Sequence, residues 1–289
     1  MARPSTTEVS PARATALGDG FTHRYADADL PHKLFAAKPL PHHTVFLIEP
    51  PSTRYDVHFT FFGVPVRIEP WFWVMSLVLG VRPGTGPSDV VIWMIAVFVS
   101  ILIHEFGHAL AIRYYGWRPR IILYSFGGLA AYEPTYHNRL GQIIIAFAGP
   151  VAGFLLAAAV LAISRATGHD VRFYRSLFHP VDAGPFASGN LQVLVNDMLF
   201  LNIFWGLINL LPIFPLDGGK VSQEALVHFN PRNGLRQSLQ ISIFTAVGVG
   251  LVLFARSQSF FPLILFGSLA YTNFQMLQQY GDTWGGRGW

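Results

Sequence analysis

The 289-residue chain contains no cysteine. That excludes a disulfide-stapled secreted scaffold, and it means that any metal site has to be built from His, Asp or Glu. Charge is scarce as well: Asp, Glu, Lys and Arg make up 12% of the residues, about half the share found in ordinary soluble domains. The 20 Lys and Arg are scattered rather than clustered, so the formal charge of +4 forms no basic stripe and no nucleic-acid partner is expected. The first 30 positions lack a basic start followed by an apolar run of about 7–15 residues, so no secretory signal is expected. What the chain has in abundance is apolar surface. At 52% hydrophobic and 15% aromatic, its composition is that of a membrane protein and not of a disordered chain.

Residues 1–60 carry proline, alanine, charge and histidines including His23, His32, His42 and His43 without a sustained apolar run. They are expected to form a soluble, disorder-prone tail. A strand-like patch, Phe59–Ile68, contains Gly63 and Pro65. Six apolar stretches follow: Pro70–Val81, Val90–Ile112, Leu140–Ile163, Leu191–Leu211, Ile241–Ala255 and Phe260–Leu277. A span takes about 17–25 residues, so the first and fifth are short. Pro87-Ser88-Asp89 offers the second stretch a start, with Ser88 or Asp89 as N-cap. Between the second and third stretches, Arg118–Pro134 reads as extended chain turning at Gly127-Gly128, a hairpin near the membrane. The fold class expected is an all-α polytopic membrane protein with about six transmembrane helices and a small membrane-associated β-hairpin. If the tail is inside and all six stretches cross, 15 of the 20 Lys and Arg fall inside, leaving Arg82, Arg165, Arg172, Arg175 and Arg256 outside. Both termini are then cytoplasmic; a first stretch that stopped short would reverse the tail alone.

Within the second stretch lies His104-Glu105-Phe106-Gly107-His108. On a helix, residues four apart share a face, so two imidazoles can bind one zinc ion while the intervening carboxylate faces its water. Zinc lowers the pKa of that water toward about 7, and a carboxylate can take its proton as it attacks a polarised carbonyl. A pair of surface histidines is a poor explanation here, because ionisable groups inside an apolar span are expensive unless paired or functional. Catalytic zinc takes three protein ligands, and Asp197, Asp217, Glu133 and His137 are the candidates for the third. Asp217 ends a segment from Asn209 that holds Pro212 and Pro215 and is followed by Gly218 and Gly219, residues that must interrupt the helix. Broken backbone at membrane depth is tolerated where protein or a water-filled cavity satisfies it. Read alone, Asp217 also suits a cap or turn.

Together, His104-Glu105-x-x-His108 in a span, Asn209-x-x-Pro212 and Leu216-Asp217-Gly218 closely resemble the site-2 protease family of intramembrane zinc metalloproteases. The resemblance covers roughly residues 60–230 and includes Phe147-Ala-Gly-Pro150-Val-Ala-Gly153, which is similar to the family's Gly-Pro packing segment. It implies one zinc ion per chain held by His104, His108 and Asp217, with Glu105 as general base and Asn209 positioning the substrate backbone or stabilising the oxyanion. The segment Phe126-Gly127-Gly128-Leu129 is similar to the family's membrane-associated strand, which implies substrate binding as an added strand; a short structural hairpin is the other reading.

The implied organisation is a tail over 1–60, a catalytic membrane core over 61–236 and a C-terminal transmembrane hairpin over 237–289. No PDZ-like insertion or C-terminal nucleotide-binding domain is expected. The implied activity is hydrolysis of a peptide bond in or near the transmembrane segment of a membrane-protein substrate, in a lipid bilayer, most simply the bacterial cytoplasmic membrane. The alternative is a zinc-binding multipass transporter or scaffold without proteolysis, which would have no need of Glu105 between the histidines. Asp197 and Asn202 read as helix-to-helix hydrogen bonding, Gly107 and the small residues of the third stretch as close helix contact, and His137 as an interfacial residue.

Overall fold

The computed structural model describes residues 49–285 apart from 82, 83, 137, 174–180, 185, 187 and 258, all within the compact unit Val45–Trp289. The four tail histidines and His137 lie outside the described residues.

The chain is mostly helical with a small sheet. Strands β1 (Val57–Phe61) and β2 (Val64–Ile68) precede helices α1 (Pro70–Gly80) and α2 (Pro87–Tyr114); β3 (Arg120–Tyr124) and β4 (Gly127–Ala131) precede α3 (Arg139–Ala166). A short hairpin, β5 (Val171–Phe173) and β6 (Val181–Ala183), leads into α4 (Gly189–Phe200). That helix runs through a π-helical turn, Leu201–Trp205, into α5 (Gly206–Asn209); α6 (Asp217–Phe229), α7 (Gly234–Ser257) and α8 (Phe261–Gly285) complete the chain.

Among the described residues, four helical segments are long and apolar enough to cross a membrane: α2, α3, the continuous Gly189–Asn209 rod and α7. The other two of the expected six stretches fall short of that measure, each for its own reason. Helix α1 has 11 residues, about 16 Å against a hydrocarbon core of about 30 Å. Helix α8 has 25 residues, but Thr272, Asn273, Gln275, Gln278 and Gln279 dilute its second half. The short fifth stretch becomes the 24-residue α7, because Gly234-Leu-Arg-Gln-Ser-Leu-Gln continues the helix beyond the apolar run. Helix α2 starts earlier than its apolar pattern. Pro87 stands at its first position, Gly86 is the N-cap, and the Asp89 carboxylate accepts the Gly86 N–H at 2.8 Å.

The sheet is larger than a hairpin. Its order is β1-β2-β3-β4. The Phe59–Ile68 patch is itself a hairpin, turned by Phe62 (φ 45°) and Gly63 (φ 78°), two positive-φ residues of the kind a tight two-residue turn takes. β2 pairs with β3 in parallel, Val66 opposite Ile121, so α1 and α2 form the crossover between them. β3 and β4 are antiparallel and close at Tyr124↔Gly127. The turn is therefore Ser125-Phe126, and Gly127 and Gly128 are strand residues, a displacement of two positions from the expected turn. Alternate residues of β2, Val64, Val66 and Ile68, are buried with Ile121 and Leu123 of β3 against Phe72, Leu102 and Ala109 of the first two helices. Gly107 faces Ala148 and Ala152, where any Cβ would overlap α3, so these two helices approach as closely as small residues permit. Outward-facing Leu155, Ile163, Phe244 and Val252 stay exposed, as a lipid-facing surface requires.

Candidate metal centre

Helix α2 carries His104 and His108 one turn apart on the same face, and the non-helical segment after α5 returns Asp217, the first residue of α6, to them. Asp217 Oδ2 is 3.1 Å from each imidazole Nε2, and the two Nε2 atoms are 3.2 Å apart. A tetrahedral ion with nitrogen and oxygen ligands about 2.0–2.1 Å away would hold those ligands about 3.3–3.4 Å apart. The triangle needs to open by only a few tenths of an ångström to hold one metal ion. All three side chains are buried, at 7%, 5% and 4% exposure. Among the described residues no other group of His, Asp and Glu converges in this way, so Asp197 and Glu133 stand outside it.

Neighbouring groups orient the three donors. His108 Nδ1 lies 2.6 Å from the Ile145 carbonyl oxygen on α3. A carbonyl can only accept, so Nδ1 carries the proton and the Nε2 lone pair faces the site. Lys220 Nζ donates to Asp217 Oδ1 at 3.1 Å, leaving Oδ2 for the imidazoles. Space is made by glycine. A Cβ on Gly149 of α3 would overlap His108 Nε2 and lie 2.7 Å from His104 Nε2. The sequence marks this Gly-Pro segment as packing, whereas its position is against the donor atoms themselves.

The same cavity, about 510 Å³, is lined by His104, Glu105, His108, Asn209 and Asp217. Glu105 is buried, and Gly128 of β4 packs on it so closely that a Cβ there would lie 2.6 Å from the carboxylate Oε1. Neither the Glu105 carboxylate nor the Asn209 amide hydrogen-bonds another described residue. β4 is an edge strand, and Phe126 through Tyr132 form one cavity wall. Tyr124 adds a hydroxyl that the sequence does not single out. Burial, ahead of the negative charge of Glu105 and Glu69, pushes its phenol up to about 12, so it stays neutral at physiological pH. Asn202 is elsewhere: its amide donates to Ser100 Oγ on α2 and to the Met198 carbonyl, both at 2.8 Å, which is helix-to-helix bonding as expected.

Residues 92–254 match peptidase family M50. The chain is 24% identical over 197 residues to a zinc metalloprotease of Methanocaldococcus jannaschii, covering 68% of this chain and 51% of that protein. It is 27% identical over 158 residues to stage IV sporulation protein FB of Bacillus subtilis, covering 54% of this chain and 46% of that protein. The chain thus spans about half the length of the curated relatives it matches. A solved structure, the site-2 protease from Methanocaldococcus jannaschii, aligns with a TM-score of 0.51 over 77% of this chain and 95% of that one, at 20% sequence identity. That is a likeness of fold.

Proposed function

The chain belongs to peptidase family M50, and on that footing we propose that it is an intramembrane zinc metalloprotease, hydrolysing a peptide bond in or near the transmembrane segment of another membrane protein. The observation that carries this reading is the donor triangle of His104, His108 and Asp217 opening on the same cavity as Glu105, beside a free strand edge. A zinc carrier or scaffold would need the triangle but neither the carboxylate nor the edge.

His104, His108 and Asp217 would hold the ion. Zinc, when bound, supplies Lewis acidity that polarises a peptide carbonyl and acidifies water. The chain's own groups do the rest. The outer edge of β4 takes the unwound substrate as an added strand, because a peptide bond inside a helix is not open to attack. Glu105 takes a proton from water as the water oxygen adds to the carbonyl carbon. It gives that proton to the amine nitrogen as the C–N bond breaks, and so ends as it began. Asn209 donates its amide N–H to the carbonyl oxygen as charge gathers there. The core over residues 61–236 carries these groups.

In the membrane, the proposed arrangement keeps six passages and both termini in the cytoplasm, with α1 in the first passage and α8 in the last. The parallel β2–β3 pairing supports this, since the chain leaves the sheet through α1 and rejoins it after α2. The Lys/Arg bias puts the sheet on the cytoplasmic side, most simply of a bacterial plasma membrane.

The test is the Glu105→Gln variant of the full chain. It is expected to retain about one zinc per chain and to lose cleavage of membrane substrates that accumulate intact in cells expressing it. Cleavage at the wild-type rate by purified, zinc-replete Glu105→Gln would refute the assignment.

A further inference from the structure

We propose that Ser242 of α7 and Asn273 of α8 are positioning residues for Asp217, so that the C-terminal helix pair, which contributes no metal-ligand candidate, braces the metal centre. The inference rests on the reading of Asp217 as a ligand.

Asp217 follows a non-helical segment, Leu210–Leu216, in which Pro212 and Pro215 have no N–H to donate. Within it the Ile213 N–H donates to Leu211 O at 2.7 Å and the Leu216 N–H to Ile213 O at 2.8 Å. Phe214, between Ile213 and Pro215, is held from outside on both of its backbone groups. Its N–H donates to Ser242 Oγ at 3.0 Å, and its carbonyl accepts from Asn273 Nδ2 at 2.6 Å. Both side chains are wholly buried, at 0% exposure. Asn273 Nδ2 also donates to Leu269 O in its own helix at 2.8 Å, which locks the amide. Around this clamp Ile213 packs against Ala246, Phe266, Leu269 and Ala270, again from α7 and α8.

Only Pro215 and Leu216 separate the clamped residue from a carboxylate whose Oδ2 must meet two imidazoles to within tenths of an ångström. Two helices that supply no donor therefore set where the third donor stands. Partners of this kind characteristically change metal affinity by about 10–100-fold when removed, without themselves touching the ion.

The test measures Co(II) and Zn(II) affinity of the full-length protein in detergent by chelator competition, together with the Co(II) visible spectrum and thermal unfolding. Ser242→Ala and Asn273→Ala are expected to lower affinity about 10–100-fold and to alter the Co(II) bands. The control is Thr272→Val, which removes a buried hydroxyl that among the described residues bonds only Ser268 O of the same helix; it is expected to keep affinity and spectrum whatever it costs in stability. Wild-type affinity and spectrum in Ser242→Ala and Asn273→Ala would overturn the proposal, as would an equal loss in Thr272→Val. If Asn273→Ala does not fold, Ser242→Ala, which removes a single oxygen atom, decides the matter alone. An Asp217→Ala arm separates the two levels: unchanged affinity there rejects the ligand assignment, whereas loss there with retention in the clamp variants rejects the clamp.

Discussion

Gly149 has no side-chain chemistry, yet it decides whether two imidazoles fit. An added Cβ would meet His108 Nε2 and His104 Nε2, the two atoms assigned to the metal. Overpacking a core costs about 1–3 kcal/mol when neighbours can give way; here giving way means moving a donor. Gly149→Ala is expected to fold with unchanged helical content by circular dichroism and to bind zinc at least 10-fold more weakly, read as metal content after dialysis. Stoichiometric zinc in the dialysed variant would show that the imidazoles have room to spare. The sequence reveals His104, Glu105 and His108 because an ionisable side chain in an apolar span, at about 2.5–3.5 kcal/mol for a charged one, calls for a reason. Glycine in a span calls for none, so Gly149 reads as packing. Asp217 stays ambiguous in sequence between cap and ligand, and in the structure it is both the first residue of α6 and the third corner of the triangle.

At the scale of elements, β4 shows how a local rule yields to tertiary need. Gly127-Gly128 is a strong turn signal, but the turn falls two residues earlier and Gly128 is kept small because Glu105 lies against it. A two-residue turn closed at Tyr124↔Gly127 makes hydrogen-bonded pairs alternate along the ladder. Gly128 and Ala130 therefore turn their N–H and C=O groups to the free edge, where an added substrate strand would bond. Ala130→Pro removes one outward donor and none of the bonds to β3. A net main-chain hydrogen bond is worth about 0.5–1.5 kcal/mol, so kcat/KM for a membrane substrate should fall roughly 2- to 10-fold with zinc content unchanged. Unaltered kcat/KM would place the substrate elsewhere than on this edge. The long helices are legible because hydropathy and length specify a span. Their ends are less so: Pro87 and the capping Asp89 draw the start of α2 back to residues that carry no apolar signal.

For the whole molecule, the proposed arrangement across the membrane rests on two observations of different kinds. The Lys/Arg distribution favours one side, and the parallel β2–β3 pairing requires the chain to leave and rejoin one sheet. The pairing is invisible in the sequence, because two strands 50 residues apart leave no local trace of their register. The native absence of cysteine makes the arrangement directly measurable with single-cysteine variants at exposed positions, labelled in intact cells by a membrane-impermeant maleimide. Ala166→Cys, at the last residue of α3, is expected to label from outside. Tyr55→Cys, before β1, and Glu133→Cys, after β4, are expected to label only after the cells are opened, and always together. Tyr55→Cys labelling from outside while Glu133→Cys remains protected would mean that the chain does not return to the face it left. The sheet that forms the cavity wall could not then be assembled as described, so the topology and the wall beside Glu105 stand or fall in one measurement.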